Sequence, residues 1–148
     1  MSEVICKKGK HGHDEYYLAE KPEKGSMFDQ SEDGEAKNFY GTAIVRHPEL
    51  KGLLFHVANE GMIKPQYGAK RKLMGVVSGV ADYILLMPSG DYNFAIFEMK
   101  KVRGVPSDIK KEQVAFLDKC KAQGGYGCIT FGYKAALFAL NKFLKQSK

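Results

Sequence analysis

The stretch from Gly79 to Lys101 constrains this chain more than any other. It reads Gly-Val-Ala-Asp-Tyr-Ile-Leu-Leu-Met, then Pro-Ser-Gly-Asp, then Tyr-Asn-Phe-Ala-Ile-Phe-Glu-Met-Lys-Lys. Two β-branched and aromatic runs around a Pro/Ser/Gly/Asp cluster predict an antiparallel hairpin. Asp82 opens the first strand, while Glu98 and Lys100 end the second, where a buried strand ordinarily stays apolar. Side chains alternate along a strand, so Tyr92, Phe94, Ile96, Glu98 and Lys100 are expected on one face. Asp82 shares that face only if it stands opposite Glu98, because a slip of one residue reverses every side chain. A three-residue loop at Ser89-Gly90-Asp91, or a five-residue one, gives that register. A two-residue loop needs a bulge to restore it. The expectation is therefore an odd loop or a bulge.

Two carboxylates and an ammonium would then converge at one strand end. Close carboxylates repel unless a proton or a cation sits between them. Hard oxygen ligands on a small site suit Mg²⁺ or Mn²⁺, which bind partly through substrate phosphates. A lysine beside such an ion can orient or deprotonate water and offset negative charge on a phosphorane-like transition state. The bland alternative is a solvated strand end with an incidental Glu/Lys pair.

At these residues the chain resembles the VRR-NUC (virus-type replication-repair nuclease) domain of the PD-(D/E)xK nuclease superfamily. The resemblance rests on Gly79-Val80-Ala81-Asp82, an apolar run, and Phe97-Glu98-Met99-Lys100, with Asn59-Glu60-Gly61 and Gly75-x-x-x-Gly79 before them and Gln113 after. Ala81 replaces the family's usual proline, and Ala36 stands where many members carry glutamine. The resemblance covers about residues 31–146. It implies a restriction-endonuclease-like α/β fold, a mixed sheet with helices on both faces in the order α-β-β-β-α-β-α. It also implies catalytic roles for Asp82, Glu98, Lys100 and Gln113. One or two Mg²⁺ or Mn²⁺ ions would sit on Asp82, Glu98 and the Met99 carbonyl, with Glu32 or Glu35 lending a further carboxylate. Asn59 becomes a substrate contact. Stand-alone proteins of this kind often come from phages and act as homodimers on branched DNA such as four-way junctions, so DNA of that kind is the implied partner.

Charge placement agrees with a polyanionic partner. Residues 1–60 carry 8 Lys+Arg against 11 Asp+Glu, and residues 61–148 carry 15 against 6, which together give the net +6. A basic half around an acidic site is what phosphate-backbone binding requires. Residues 62–77 read as a glycine-containing loop with Lys64, Lys70, Arg71, Lys72 and an interleaved Tyr67, suited to backbone tracking or stacking on an exposed base. Lys101 and Arg103, just past the second strand, are further DNA-contact candidates.

The length fits one domain with a proper core: residues 31–148 as the nuclease-like unit and 1–30 as an extension of uncertain structure. Within the extension, Tyr16-Tyr17-Leu18 reads as a short strand or packing arm, and His11-x-His13 lacks a recognisable third metal ligand. Cys6, Cys120 and Cys128 have no paired or metal-ligand spacing, so they read as reduced thiols. No run of 18 apolar residues and no charged-then-apolar leader is present, which predicts a soluble intracellular protein. Ser31 caps an expected helix over about 32–47, with Ala36, Phe39, Tyr40, Ala43 and Ile44 as its apolar stripe. Ser107 is the expected cap of a second helix reaching about Gln123, with Gln113 on the stripe of Ile109, Phe116, Leu117 and Cys120. A parallel strand over 126–131 and a last apolar helix close the chain. Two other functions fit the same residues: a nuclease on linear or single-stranded DNA in repair or genome processing, and a non-catalytic nucleic-acid-binding module of the same fold.

Overall fold

The computed structural model describes residues 3–58 and 65–146. Among them, six strands form one mixed sheet: β1 (Val4–Lys8), β2 (Asp14–Leu18), β3 (Leu54–His56), β4 (Tyr83–Leu85), β5 (Phe94–Lys100) and β6 (Gly125–Phe131). The spatial order is β1-β2-β6-β5-β4-β3. The helices are α1 (Glu32–Arg46), α2 (Pro65–Leu73), α3 (Lys111–Ala122) and α4 (Tyr133–Leu144). The expected core order is present, with α2 inserted between β3 and β4.

Two apolar layers flank the sheet. One joins Phe39 and Ala43 of α1 and Leu137, Leu140 and Phe143 of α4 to Tyr83, Leu85, Phe97 and Met99. The other packs Leu117 of α3 on Ile96, Ile129 and Phe131. Helices thus cover both faces, as βαβ crossovers require for a parallel pair. β5 and β6 are that pair, with Phe97 beside Cys128 and Glu98 beside Ile129.

The N-terminal segment joins this sheet through β1 and β2. β2 runs parallel to β6, and fully buried Tyr16 belongs to the first layer. β1 covers β2 as an antiparallel outer strand. His13 is buried by the sheet and meets Asp118 Oδ1 through Nε2 at 2.8 Å. It is a buried histidine with its hydrogen bond satisfied.

Caps explain where the helices start and stop. Ser31 Oγ accepts from Gly34 N at 3.1 Å, and α1 ends one residue short of the expected His47. Two expectations need correcting. The segment read as a loop over 62–77 is helical from Pro65 to Leu73, despite Gly68 within it, and Gly75 at φ +93 lies just past its end. Ser107 does not cap α3 but lies in a 3-10 turn, Pro106–Asp108, where Asp108 Oδ2 accepts from Val105 N. α3 starts at Lys111, with the Gln113 side chain accepting from Lys110 N at 2.8 Å.

The hairpin reaches the expected register by a bulge. Ser89 and Tyr92 exchange backbone hydrogen bonds around a two-residue Gly90-Asp91 turn. Leu85 nonetheless pairs with Ala95, Ile84 with Ile96 and Tyr83 with Phe97. Residues 86–88 on one side therefore face only 93–94 on the other, the one-residue excess of a bulge. Tyr92 lies before this shift and packs in the first layer, on the face opposite Phe94 and Ile96. The expected single row thus begins at Phe94.

Candidate active site

Asp82 immediately precedes β4, and continuing the ladder from Tyr83–Phe97 sets it opposite Glu98. Its Oδ2 accepts from Met99 N at 2.7 Å. Its own carbonyl is held by Val57 N at 2.8 Å and by His56 Nδ1 at 2.9 Å, which ties β3 to the site. Asp82 follows Ala81, buried in the second layer. Gly79 lies further back at φ +81, where any Cβ would come within 2.4 Å of the Glu112 carbonyl oxygen. Glycine is required there twice over, by the left-handed backbone and by the contact with α3.

Glu98 is 4% exposed and Lys100 7%. Burial first, then the charge of Asp82, pushes the Glu98 carboxyl up to about 10. Lys100 Nζ, 3.9 Å from Glu98 Oε2, offsets only part of this. Gln113 Nε2 donates to the same Oε2 at 3.1 Å. Because Gln113 Oε1 is occupied by the Lys110 amide, the start of α3 fixes which end of the glutamine faces the acid. The Glu98 carbonyl accepts from Thr130 Oγ1, and the Lys100 carbonyl accepts from Gly132 N, both on the β6 side. Peptide groups alternate along a strand, so the Met99 carbonyl turns toward the Asp82 edge.

These groups open into a cleft of about 1040 Å³, lined also by Glu32, Arg71, Lys72, Lys101 and Lys110. Among the described residues no group of three or more His, Cys, Asp or Glu is clustered tightly enough to hold a metal ion. The acids at its centre are a pair, Asp82 and Glu98. Such a pair fits a hard divalent ion that takes its remaining ligands from a backbone carbonyl, water and substrate phosphate. A cation would replace the proton that burial forces onto Glu98.

Other candidates separate. Glu32 lines the cleft and adds negative potential at Glu98. Glu35 does not reach it. Buried against the start of α4, it accepts from Tyr133 N at 2.8 Å and lines a second cavity of about 390 Å³ with Val102 and Gly132. Arg103 also points away, donating to the Pro22 carbonyl at 2.7 Å. Lys70 is exposed on α2 without lining the cleft, whereas Arg71 and Lys72 line it. Asn59 and Lys64 lie outside the described residues. Sequence reasoning missed His56 as the anchor of the Asp82 backbone, and Lys110. The signal for Lys110 was a glutamine three residues downstream, the spacing of a capping box.

No protein-family model matches the sequence, and no curated protein matches it. A comparison of folds does. A solved structure described as a "VRR_NUC domain protein" superposes with a TM-score of 0.69 at 18% identity, covering 80% of this chain and 92% of that one. The chain has the VRR_NUC fold. At that identity the likeness speaks for the fold alone. The six-stranded mixed sheet and its flanking helices are accordingly restriction-endonuclease-like, as the hairpin residues led one to expect.

Proposed function

We propose that this chain is a metal-dependent DNA endonuclease that hydrolyses phosphodiester bonds. The observation that carries the reading is the meeting of Asp82, Glu98, Lys100 and Gln113 in one cleft edged by cations. Asp82, Glu98 and the Met99 carbonyl would hold one or two Mg²⁺ or Mn²⁺ ions, and Glu32 adds a carboxylate at the rim. When bound, such an ion polarises the scissile phosphate and acidifies water. The protein's own groups do the rest. Lys100 orients the attacking water and steadies negative charge developing on the phosphate oxygens. Gln113 keeps Glu98 in one rotamer by a bond that has no freedom to flip. Arg71, Lys72, Lys101 and Lys110 draw the backbone of the DNA into the cleft.

The finer reading is a structure-specific enzyme acting on branched DNA as a homodimer, supported by the resemblance of the hairpin motif to phage-type VRR-NUC proteins. Two clefts related by a two-fold axis would match a symmetric junction. Incubation with synthetic four-way junction, flap, duplex and single-stranded DNA, with Mg²⁺, Mn²⁺ or EDTA, tests both levels. Cleavage that needs the metal and is lost in Lys100→Ala supports the nuclease. Cleavage that survives Lys100→Ala, or no cleavage with any metal, overturns it. Equal cleavage of all four DNAs overturns the branched preference alone.

A further inference from the structure

The cleft has an apolar lip that phosphate contacts do not explain. At the C-terminal end of α2, Leu73 is 90% exposed and Met74 73%, and Val76 and Val77 behind them are half-exposed. Val76 and Val77 also line the cleft that holds Asp82, Glu98 and Lys100. Four apolar side chains in five residues face water, an exposed cluster of the kind that marks a binding surface.

The patch is held in place by its backbone. Val76 N donates to the Arg71 carbonyl and Gly75 N to the Lys72 carbonyl, both at 3.0 Å, with Gly75 at φ +93. This is a Schellman ending, which closes the helix and fixes the direction of the chain after it. Leu73 and Met74 are therefore presented by an ordered turn.

The surroundings say what kind of partner fits. Lys70, Arg71 and Lys72 immediately precede the patch and make no ion pair among the described residues. A second copy of this chain docked here about a two-fold axis would bring that cationic turn close to its own image, an unfavourable arrangement. A partner that is polyanionic and yet offers flat apolar faces satisfies both features at once. Nucleic acid does so wherever a base has left its stack. Apolar side chains that wedge against unstacked bases, beside cations on the flanking phosphates, are a known physical solution for gripping distorted DNA.

We infer that Leu73, Met74, Val76 and Val77 form a base-binding wedge that takes the face of an unstacked nucleobase next to the scissile phosphate. The inference rests on the nuclease reading above. It assigns the choice of DNA to this lip, separately from the carboxylates that do the chemistry. The cations set overall affinity, and the wedge sets the preference for DNA with an unpaired nucleotide over continuous duplex.

The test is binding in EDTA, where no strand is cut, of wild type and of Leu73→Ser/Met74→Ser. The probes are a duplex and the same duplex with one unpaired 2-aminopurine, the base analogue whose fluorescence reports its stacking. Wild type is expected to bind the unpaired probe about tenfold more tightly and to shift its fluorescence. The double variant is expected to lose both while keeping its duplex affinity and its thermal melt. Leu73→Ala/Met74→Ala, which adds no polar group, should fall between the two. An unchanged preference in both variants overturns the wedge, as does a wild type that binds the two probes equally, and in either case the nuclease reading stands. A variant that loses a dimer seen for wild type by gel filtration assigns the lip to self-association and overturns the wedge too. Absence of binding to either probe, in EDTA and with Ca²⁺ alike, removes the wedge and the nuclease reading together.

Discussion

Glu35 and Glu98 are both buried, 2% and 4% exposed, and burial raises both carboxyls above their ordinary range. Their partners differ. Glu35 faces a backbone amide, Tyr133 N, at the start of α4, next to Gly132, where any Cβ would come within 2.8 Å of its Oε2. That donor and the helix terminus favour the charge. Glu98 faces another carboxyl, Asp82, which opposes the charge. One site gives its acid a partner and uses it to hold α1 to α4. The other sets its acid against a second carboxyl, which Gln113 and Lys100 offset only in part. Equal burial therefore says little about function, and the sign of the nearest neighbour says much.

The comparison breaks first on catalysis. Lys100→Ala and Asp82→Asn are expected to lower the single-turnover cleavage rate by at least about a hundredfold, the scale of losing one preorganised electrostatic group. DNA binding should persist in Lys100→Ala, since one cation among 23 contributes little to the total. Glu35→Gln should leave the cleavage rate where it was. If Glu35→Gln were as damaging as Lys100→Ala, the two glutamates would not have separate jobs.

The second difference is metal. Isothermal titration of Mn²⁺ should show a binding heat in wild type and in Glu35→Gln, and a much weaker one in Glu98→Gln. Glutamine keeps an acceptor for Gln113 Nε2 but cannot supply a carboxylate. An unaltered heat in Glu98→Gln would move the ion off the β5 end.

How much of this contrast was legible in the residues depends on how local the cause was. The hairpin residues specify their own register through alternation and turn chemistry, and the bulge follows from needing Asp82 and Glu98 on one face. A stripe at helical spacing likewise places α1, and a run of apolar residues places α4. Glu35 was not separable from Glu32 in sequence, because what a glutamate at the start of α1 meets depends on where α4 begins, far along the chain. Arg103 looked like any cation near the site; its bond to the Pro22 carbonyl depends on how the N-terminal segment crosses the domain. The joining of β2 to β6 is also non-local, and composition gives no hint of it. α2 was hidden because a short helix with Gly68 in it has little propensity signal.

A third prediction concerns stability. Glu35→Ala leaves Tyr133 N without an acceptor at the end of a buried helix. The expected cost is about 1–3 kcal/mol, read as a fall in melting temperature of roughly 3–10 °C. The metal heat and the cleavage rate per folded molecule should not change. Glu98→Gln is expected to move the melt the other way in EDTA, upward by about 3 °C or more, since it removes a carboxyl that its surroundings keep from ionising. A lower melt for Glu98→Gln would mean that the acid pair is held together by the fold and does not oppose it.

The last difference is the pH dependence of that stability. For both glutamates the folded carboxyl binds its proton more tightly than the unfolded one, whose ordinary value is 4.5. Each therefore contributes stability that is fully present below about 4.5 and is lost as pH rises toward the folded value, because the unfolded chain ionises first. For Glu98 that window extends to about 10; for Glu35 it is narrower, since the Tyr133 amide pulls against burial. Urea midpoints measured in EDTA from pH 5 upward should fall less steeply in Glu98→Gln than in wild type, by at most about 1.4 kcal/mol per pH unit, with Glu35→Gln in between. Mn²⁺ should flatten the wild-type curve but leave the contribution of Glu35 in place, because only Glu98 exchanges its proton for the ion. Parallel curves for wild type and Glu98→Gln would show that Glu98 is ionised in the folded protein, and the contrast between the two buried acids would then rest on geometry alone.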